Sequence, residues 1–203
     1  MKIYPTMAAT LSIAFASLIL AGCMSVDMFS QRNPQWHGQA LKKVMVIGNF
    51  ENLVYRHYSE QQMCEYIGDY SDTECLQSLN YLFAGQNEKQ QLADVLDREK
   101  VDGVIYISTQ AYGTSIVNQP MIINAVRWPS GFSTMIGYGG PVAVQWANYS
   151  VRLYVMDGTV VWNANADASG DPDKTIEHSS YHIAKELVKA GVIAPGGSRH
   201  FNP

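Results

Sequence analysis

The sequence predicts an α/β domain, a mixed β-sheet with flanking helices, that carries an uncharged insertion rich in glycine and aromatic residues. Three observations point there. The apolar run Val44-Met45-Val46-Ile47, set behind Lys42 and Lys43, has the length of a buried strand. Leu92, Val95 and Leu96 recur at helical spacing and form one apolar face. Residues 149–156 alternate, with Val151, Leu153 and Val155 on one side and Ser150, Arg152 and Tyr154 on the other.

In chain order, the first strand covers residues 41–48 and ends near Gly48, with residues 49–52 as a loop. Helical character begins at Ser59, a residue type that caps helices. Residues 68–73, with Gly68, Asp69 and Asp72, break that helix, and a second short one spans about 73–83 and stops at Gly85. Asn87 caps a helix over 88–100, whose Glu99 faces away from the core. Val101-Asp102-Gly103 turns into a strand over 104–108. Asp157-Gly158 predicts a type I′ hairpin turn joining 149–156 to a partner strand over 159–164. Asp171 as cap and Pro172 at the first helical position start the last helix. Ile176, Ile183, Leu187 and Gly191 share its inner face, Gly191 ends it, and residues 193–203 form a tail, loose from Ala194. Strands 41–48 and 104–108, joined through helices, should pair in parallel with a right-handed crossover, and the hairpin then extends the sheet antiparallel.

The chain has 203 residues, 47% of them hydrophobic and only 16% charged. An ordinary soluble domain has roughly 25% charged residues, so a disordered chain is excluded. Fourteen basic residues against 18 acidic ones give a net charge of −4, which argues against nucleic acid as a partner.

Residues 7–21 contain no charge, and Leu11 to Leu20 has the size of a signal-peptide apolar segment, too short to span a bilayer. Leu20-Ala21-Gly22-Cys23 follows and resembles a bacterial lipoprotein signal, in which the Cys23 thiol receives lipid. An ordinary secretory peptide with an incidental cysteine is the other reading. The resemblance implies removal of residues 1–22 and stable anchoring through several acyl chains on Cys23. Met24, where an aspartate would signal inner-membrane retention, implies the outer membrane, on its periplasmic face. Residues 23–40 read as a flexible tether, because 25–38 mixes Ser, Gln, Asn, Pro and Gly with few aliphatics. The domain proper is expected over 41–192.

Cys64 and Cys75 remain. An even pair in an oxidising compartment predicts a disulfide, with Gly68, Asp69, Ser71 and Asp72 supplying the turn between them. Free thiols are the alternative. A metal would need further ligands at matched spacing, and the nearest histidine is His57.

Val44-Met-Val-Ile-Gly-Asn-Phe50, Leu92-Ala-Asp-Val-Leu96, Val101-Asp-Gly-Val-Ile105, Tyr154-Val-Met-Asp-Gly-Thr-Val-Val-Trp162 and the helix over 179–188 together form a pattern. It resembles the periplasmic lipoprotein superfamily that includes the curli secretion channel subunit, the penicillin-binding-protein activator lipoprotein B and the TolB N-terminal domain. The resemblance covers about residues 41–192. It implies a TolB N-terminal-like sandwich and supplies no catalytic residues.

Residues 110–147 hold a single charge, Arg127, with five glycines and Tyr112, Trp128, Phe132, Tyr138 and Trp146. So long a segment of this composition is neither a solvated loop nor disordered. It forms an extra hairpin on its own sheet, a surface that docks a partner or further copies, or strands that enter a bilayer. Subunits of the curli channel contribute hairpins to a shared barrel. Against the last reading, Ile122-Ile-Asn-Ala-Val126 does not alternate cleanly, and Pro120, Pro129 and Pro141 interrupt the run.

Catalytic and metal signatures fall short. His178 and His182 have the spacing of a helical metal pair but share their face with Lys185 and Lys189. Gly137-Tyr-Gly-Gly140 has no Lys-Ser/Thr after it, and Ser130 and Ser133 lack a Gly-x-Ser-x-Gly frame. Asp167, Asp171 and Asp173 miss calcium-loop spacing. The sequence therefore predicts a non-catalytic outer-membrane lipoprotein without metal or cofactor. It would bind envelope proteins and support their assembly, export or regulation, with Trp128, Phe132, Tyr138 and Trp146 as contact residues. The alternative is an oligomeric outer-membrane secretion channel subunit. A periplasmic hydrolase or ligand-binding protein is the alternative of another class.

Overall fold

The computed structural model describes residues 25–82, 88–127 and 133–196, with side chains described outside 88–90, 116–127 and 133–144. The signal segment and Cys23 lie outside these residues. The elements are β1 (Ser25–Arg32), β2 (Lys43–Asn49), α1 (Leu53–Tyr70), β3 (Glu74–Gln77), a 3₁₀ turn (Ser78–Asn80), α2 (Glu88–Arg98), β4 (Gly103–Arg127), β5 (Ser133–Val155), β6 (Val160–Ser169) and α3 (Pro172–Lys189). The six strands form one sheet in the order β1-β6-β5-β4-β2-β3. β2 is parallel to β3 and β4, and the other neighbours are antiparallel, so the sheet is mixed as predicted.

The pleat of β2 sorts the helices. Val44 and Val46 face a core shared with α1 and α3 through Met63, Ile67, Ile183 and Leu187. Met45 faces the other way, onto a smaller core with Leu76, Leu82 and Val95, against which Leu92 and Leu96 of α2 pack. Across β5 and β6, Val151, Leu153, Trp162 and Ala164 belong to the α1/α3 side. The sheet is thus covered on both faces at β2 and β3, and on one face at β5, β6 and β1.

Several sequence expectations are corrected. Residues 25–32 are not a tether: they form edge strand β1, paired with β6 from Ser25↔Ser169 to Arg32↔Trp162. Val26 and Met28 pack inward at alternate positions, and the Ser30 hydroxyl donates to Glu186 Oε2 of α3 at 3.1 Å. Trp36 packs on the main core, with the Arg32 guanidinium 5.1 Å from its ring centroid.

α1 starts at Leu53 rather than at Ser59. Asn52 is the cap, its side-chain oxygen accepting from Val54 N at 2.8 Å. Ser59 is buried within the helix and donates to the Arg56 carbonyl. The expected helix over 73–83 is instead β3 and a 3₁₀ turn. Two non-local constraints hold it there. Cys75 of β3 is bridged to Cys64 of α1, with Cα atoms 5.2 Å apart. The fully buried Glu60 carboxylate accepts from Leu79 N at 2.9 Å and from the Ser78 hydroxyl at 2.7 Å. A cross-link of this loop size stabilises by about 2–3 kcal/mol in the chain-entropy model.

The β5–β6 turn is not type I′. Gly158 has φ +86° and Asp157 has no positive φ. Gly158 N donates to Val155 O at 2.9 Å, Val155 N donates to Thr159 O at 3.0 Å, and the Asp157 carboxylate accepts from Thr159 N at 2.8 Å. This is the three-residue loop in which only the last residue needs the left-handed region. α3 starts as predicted, with Asp171 accepting from Asp173 N and Lys174 N and Pro172 at its first turn. Gly191, at φ +67°, follows its end. The first residues of the tail are not loose: Ile193 is fully buried and bridges Leu41, and Gly196 N donates to Tyr70 O at 2.9 Å.

Candidate functional site at the root of the long hairpin

The insertion is not an extra hairpin laid on the sheet. It is the continuation of the sheet's two central strands. β4 and β5 pair from Gly103↔Val155 to Arg127↔Ser133. β2 leaves β4 at Asn49↔Ser108, and β6 leaves β5 at Trp146↔Ser169. Beyond these points, among the described residues, the two strands continue as a ribbon with both outer edges unpaired.

The ribbon's register sorts its uneven pattern into two faces, each a mixture of apolar and small or polar residues. Between Gln119 and Ile122 a bulge sets Pro120 and Met121 against Gly139 alone, and bulges are where a strand accepts proline. The two-for-one step changes the phase of β4. Ser115, Val117 and Gln119 and, past the bulge, Ile122, Asn124 and Val126 then fall at positions on one face, with Val144, Val142, Gly140, Tyr138, Ile136 and Thr134 of β5. The other face carries Ile116, Asn118, Ile123 and Ala125 of β4 with Ala143, Pro141, Gly137 and Met135 of β5. Gly137-Tyr-Gly-Gly140 therefore belongs to strand β5 and to no phosphate loop.

One row crosses the sheet where the ribbon emerges: Ser25↔Ser169, Ser169↔Trp146 and Trp146↔Gly113. Ser25 and Ser169 hydroxyls are 2.9 Å apart. β1 runs away from the ribbon, so the chain enters the sheet at the ribbon end. Gly113 gives the Trp146 ring its room here: a Cβ on it would lie 2.9 Å from the ring, which would have to shift. A cleft of about 760 Å³ opens on the helix side of this row. Phe50, Tyr55, Tyr112, Trp146 and Tyr149 line it together with Asn49, Asn52, Thr109 and Gln145, and Glu51 is the charged residue among its walls. Phe50 and Tyr149 rings meet at 6.3 Å, and burial raises the Tyr149 hydroxyl's pKa. Around the rim Leu53 is 55% exposed, Val54 71% and Tyr112 74%.

Of the predicted contact residues, Trp146 is half-buried on the cleft wall, and Tyr138 stands opposite Ile122 within the ribbon. Trp128 and Phe132 lie outside the described residues. Sequence reasoning missed Phe50, Tyr55 and Tyr149, and the exposed Leu53 and Val54. The available signal was three apolar residues directly after a cap-type asparagine.

His178 and His182 do meet, with Nε2 atoms 3.2 Å apart. Among the described residues no group of three or more His, Cys, Asp or Glu could hold a metal ion. The rings sit in an aromatic seam where Tyr181 touches Tyr66 and Tyr70 of α1 at 5.8 and 5.7 Å. Burial holds the His182 imidazole below the ordinary histidine pKa, and His178 and Lys185 push it the same way, against Glu186. The unfolded chain therefore binds the proton first as pH falls. The stabilisation is complete above about pH 6.5 and is lost as pH drops through the folded value. The melting temperature is expected to fall between pH 7 and pH 5, and His182→Asn should flatten that slope. An unchanged slope in the variant would contradict the assignment.

No protein-family model matches the chain, and no curated protein matches it. Among solved structures it is similar to the PelC dodecamer from Paraburkholderia phytofirmans, at 10% identity over 83% of this chain and 99% of that one, with a TM-score of 0.47. A variant PelC dodecamer from the same organism gives 12% identity, 84% and 99% coverage and a TM-score of 0.48. A PDZ domain protein from Parabacteroides distasonis gives 9% identity over 82% of this chain and 36% of that one, with a TM-score of 0.41. Among the described residues no helix is long and apolar enough to cross a membrane.

Proposed function

We propose that the protein is a non-catalytic outer-membrane lipoprotein whose long hairpin enters the bilayer and, with hairpins of further copies, closes a β-barrel used for export. The α/β domain would stand on the periplasmic face, held by lipid on Cys23. The observation that carries this reading is the place of Ser25, two residues after Cys23, in the sheet. Cys23 precedes Ser25 by two residues, and Ser25 lies on the row from which the ribbon leaves the sheet. An anchor within about 7 Å of that row puts the membrane on the ribbon's side of the domain.

Length and charge agree. From Thr114↔Gln145 to Arg127↔Ser133 the ribbon is roughly 40 Å long at about 3.3 Å per residue. Tilted by about 45°, it spans roughly 30 Å, the thickness of the hydrocarbon core. Its one charge, Arg127, stands at the last pair before the tip. In lipid every backbone N–H and C=O needs a partner, so a two-stranded ribbon with two open edges is not a viable span by itself. Copies side by side satisfy those edges. A barrel with an aqueous lumen takes roughly 16 strands or more, hence about eight or more copies at two strands each.

A second reading, an adaptor for envelope proteins, is favoured by the open outer face of β1, β6 and β5, where Phe29 is 74% exposed beside exposed Asn163 and Asn165. Conductance separates the two. Purified lipidated protein in a planar bilayer is expected to give discrete conductance steps that vanish when the ribbon is excised. Silence at all protein concentrations would leave the adaptor reading.

A further inference from the structure

We infer that the end of the domain at the hairpin root is itself a lipid-contacting surface, with Leu53, Val54 and Tyr55 of α1 and Tyr112 of β4 seated in the headgroup region of the leaflet that holds the Cys23 anchor. This rests on the membrane reading above and adds a second, separable contact to it. Among the described residues, six large apolar side chains are exposed, and four of them are these. They share one end of the molecule. β2 parts from β4 at Asn49↔Ser108, α1 begins at Leu53 just beyond, and Tyr55 and Tyr112 line the same cleft.

The helix start is built for this. The first turn of α1 has no acidic residue, although a helix N-terminus favours one. Two of its donors are met internally: Asn52 accepts from Val54 N at 2.8 Å through its side chain and from Arg56 N at 3.0 Å through its carbonyl. A capped, apolar turn can enter the hydrated headgroup layer, where the amides of Leu53 and Tyr55 meet water or lipid oxygens and the exposed Glu51 before the cap stays in water. Tyr112 and the half-buried Trp146 add the amphipathic rings that favour a membrane–water boundary. Lipid is the occupant because of where Ser25, two residues after the proposed anchor Cys23, lies in the sheet. The lipid-bearing residue is two positions from Ser25, on the row containing Trp146 and Gly113, so the leaflet surface passes beside Tyr112.

The test uses the lipidated full chain reconstituted in vesicles of phosphatidylethanolamine and phosphatidylglycerol. With Cys64 and Cys75 bridged and Cys23 acylated, an environment-sensitive fluorophore is placed on Val54→Cys, Tyr112→Cys, Val142→Cys or Met156→Cys. Met156 is 51% exposed at the opposite turn and serves as the water-facing reference. Lipids carrying a nitroxide near the headgroup are expected to quench the probes at 54 and 112 several-fold more than the probe at 156. Quenching at 54 and 112 no stronger than at 156 overturns the inference. So does a blue-shifted but unquenched probe, which would mean that a second copy or another protein covers the surface. The probe at 142 tests the inserted hairpin separately, with nitroxides deep in the acyl chain. Quenching there alone would keep the inserted hairpin and remove the seat. Quenching at 54 and 112 alone would keep the seat and remove the inserted hairpin.

Discussion

Glu60→Ala is expected to destabilise the domain by about 3–5 kcal/mol, the range for removing one partner of a buried ion pair. Glu60 is fully buried on α1. Its Oε1 accepts from Gly48 N at 3.0 Å, from Arg56 Nε at 3.1 Å and from the Ser78 hydroxyl at 2.7 Å, and its Oε2 accepts from Leu79 N at 2.9 Å. One carboxylate thereby ties α1 to the end of β2 and to the turn after β3. Truncation takes the carboxylate away from the buried Arg56 and removes the acceptor of two backbone donors, Gly48 N and Leu79 N. The whole domain is stabilised by only about 5–15 kcal/mol, so the loss is a large share. Urea unfolding at pH 7 should show a much lower midpoint with an unchanged slope. Glu65→Ala, at an exposed position of the same helix, should stay within about 0.5 kcal/mol of the parent. A loss under about 1 kcal/mol for Glu60→Ala would contradict the role assigned to it. Because Gly48 leads directly into Asn49 and Phe50 of the cleft wall, the variant should also loosen the hairpin root.

The second large effect concerns assembly rather than folding. Val142→Asp with Val144→Asp places two carboxylates at same-face positions of the ribbon, opposite Val117 and Ser115. A charge on the lipid face of a membrane strand costs up to about 2–4 kcal/mol near the midplane, and every copy in a ring carries the same change. The double variant is expected to stay lipid-anchored but lose its assembly. Its unfolding midpoint should be unchanged, since no other strand pairs with these positions among the described residues. If the assembled form survives, residues 142 and 144 do not stand in lipid.

What was legible in the sequence was what local chemistry decides. Alternation at Val151 and Leu153 marked the core face of β5, and Asp171-Pro172 marked the start of α3, because cap and helix form from adjacent residues. Elements held by distant partners were not legible. β3 is a strand because Cys64 and Glu60, both on α1, fix the segment around Cys75 and Leu79. β1 was hidden because an edge strand needs only alternate inward residues, and Val26 and Met28 are too few to stand out in a polar run. The start of α1 was masked because Leu53, Val54 and Tyr55 face outward, against the usual sense of an amphipathic helix. The candidate site was half visible: the lack of charge over residues 110–147 marked the ribbon, but only the register brought Ser25, Trp146 and Gly113 onto one row.

A ring of copies joined through their hairpins would be read from the mass of the detergent-extracted, Cys23-lipidated protein in light scattering. A single species of about eight or more copies is expected, the number that closes a lumen-bearing barrel at two strands each. Excision of the ribbon beyond Ser115 and Val144 should collapse that species to monomer. A monomer or dimer from the intact protein would contradict the ring.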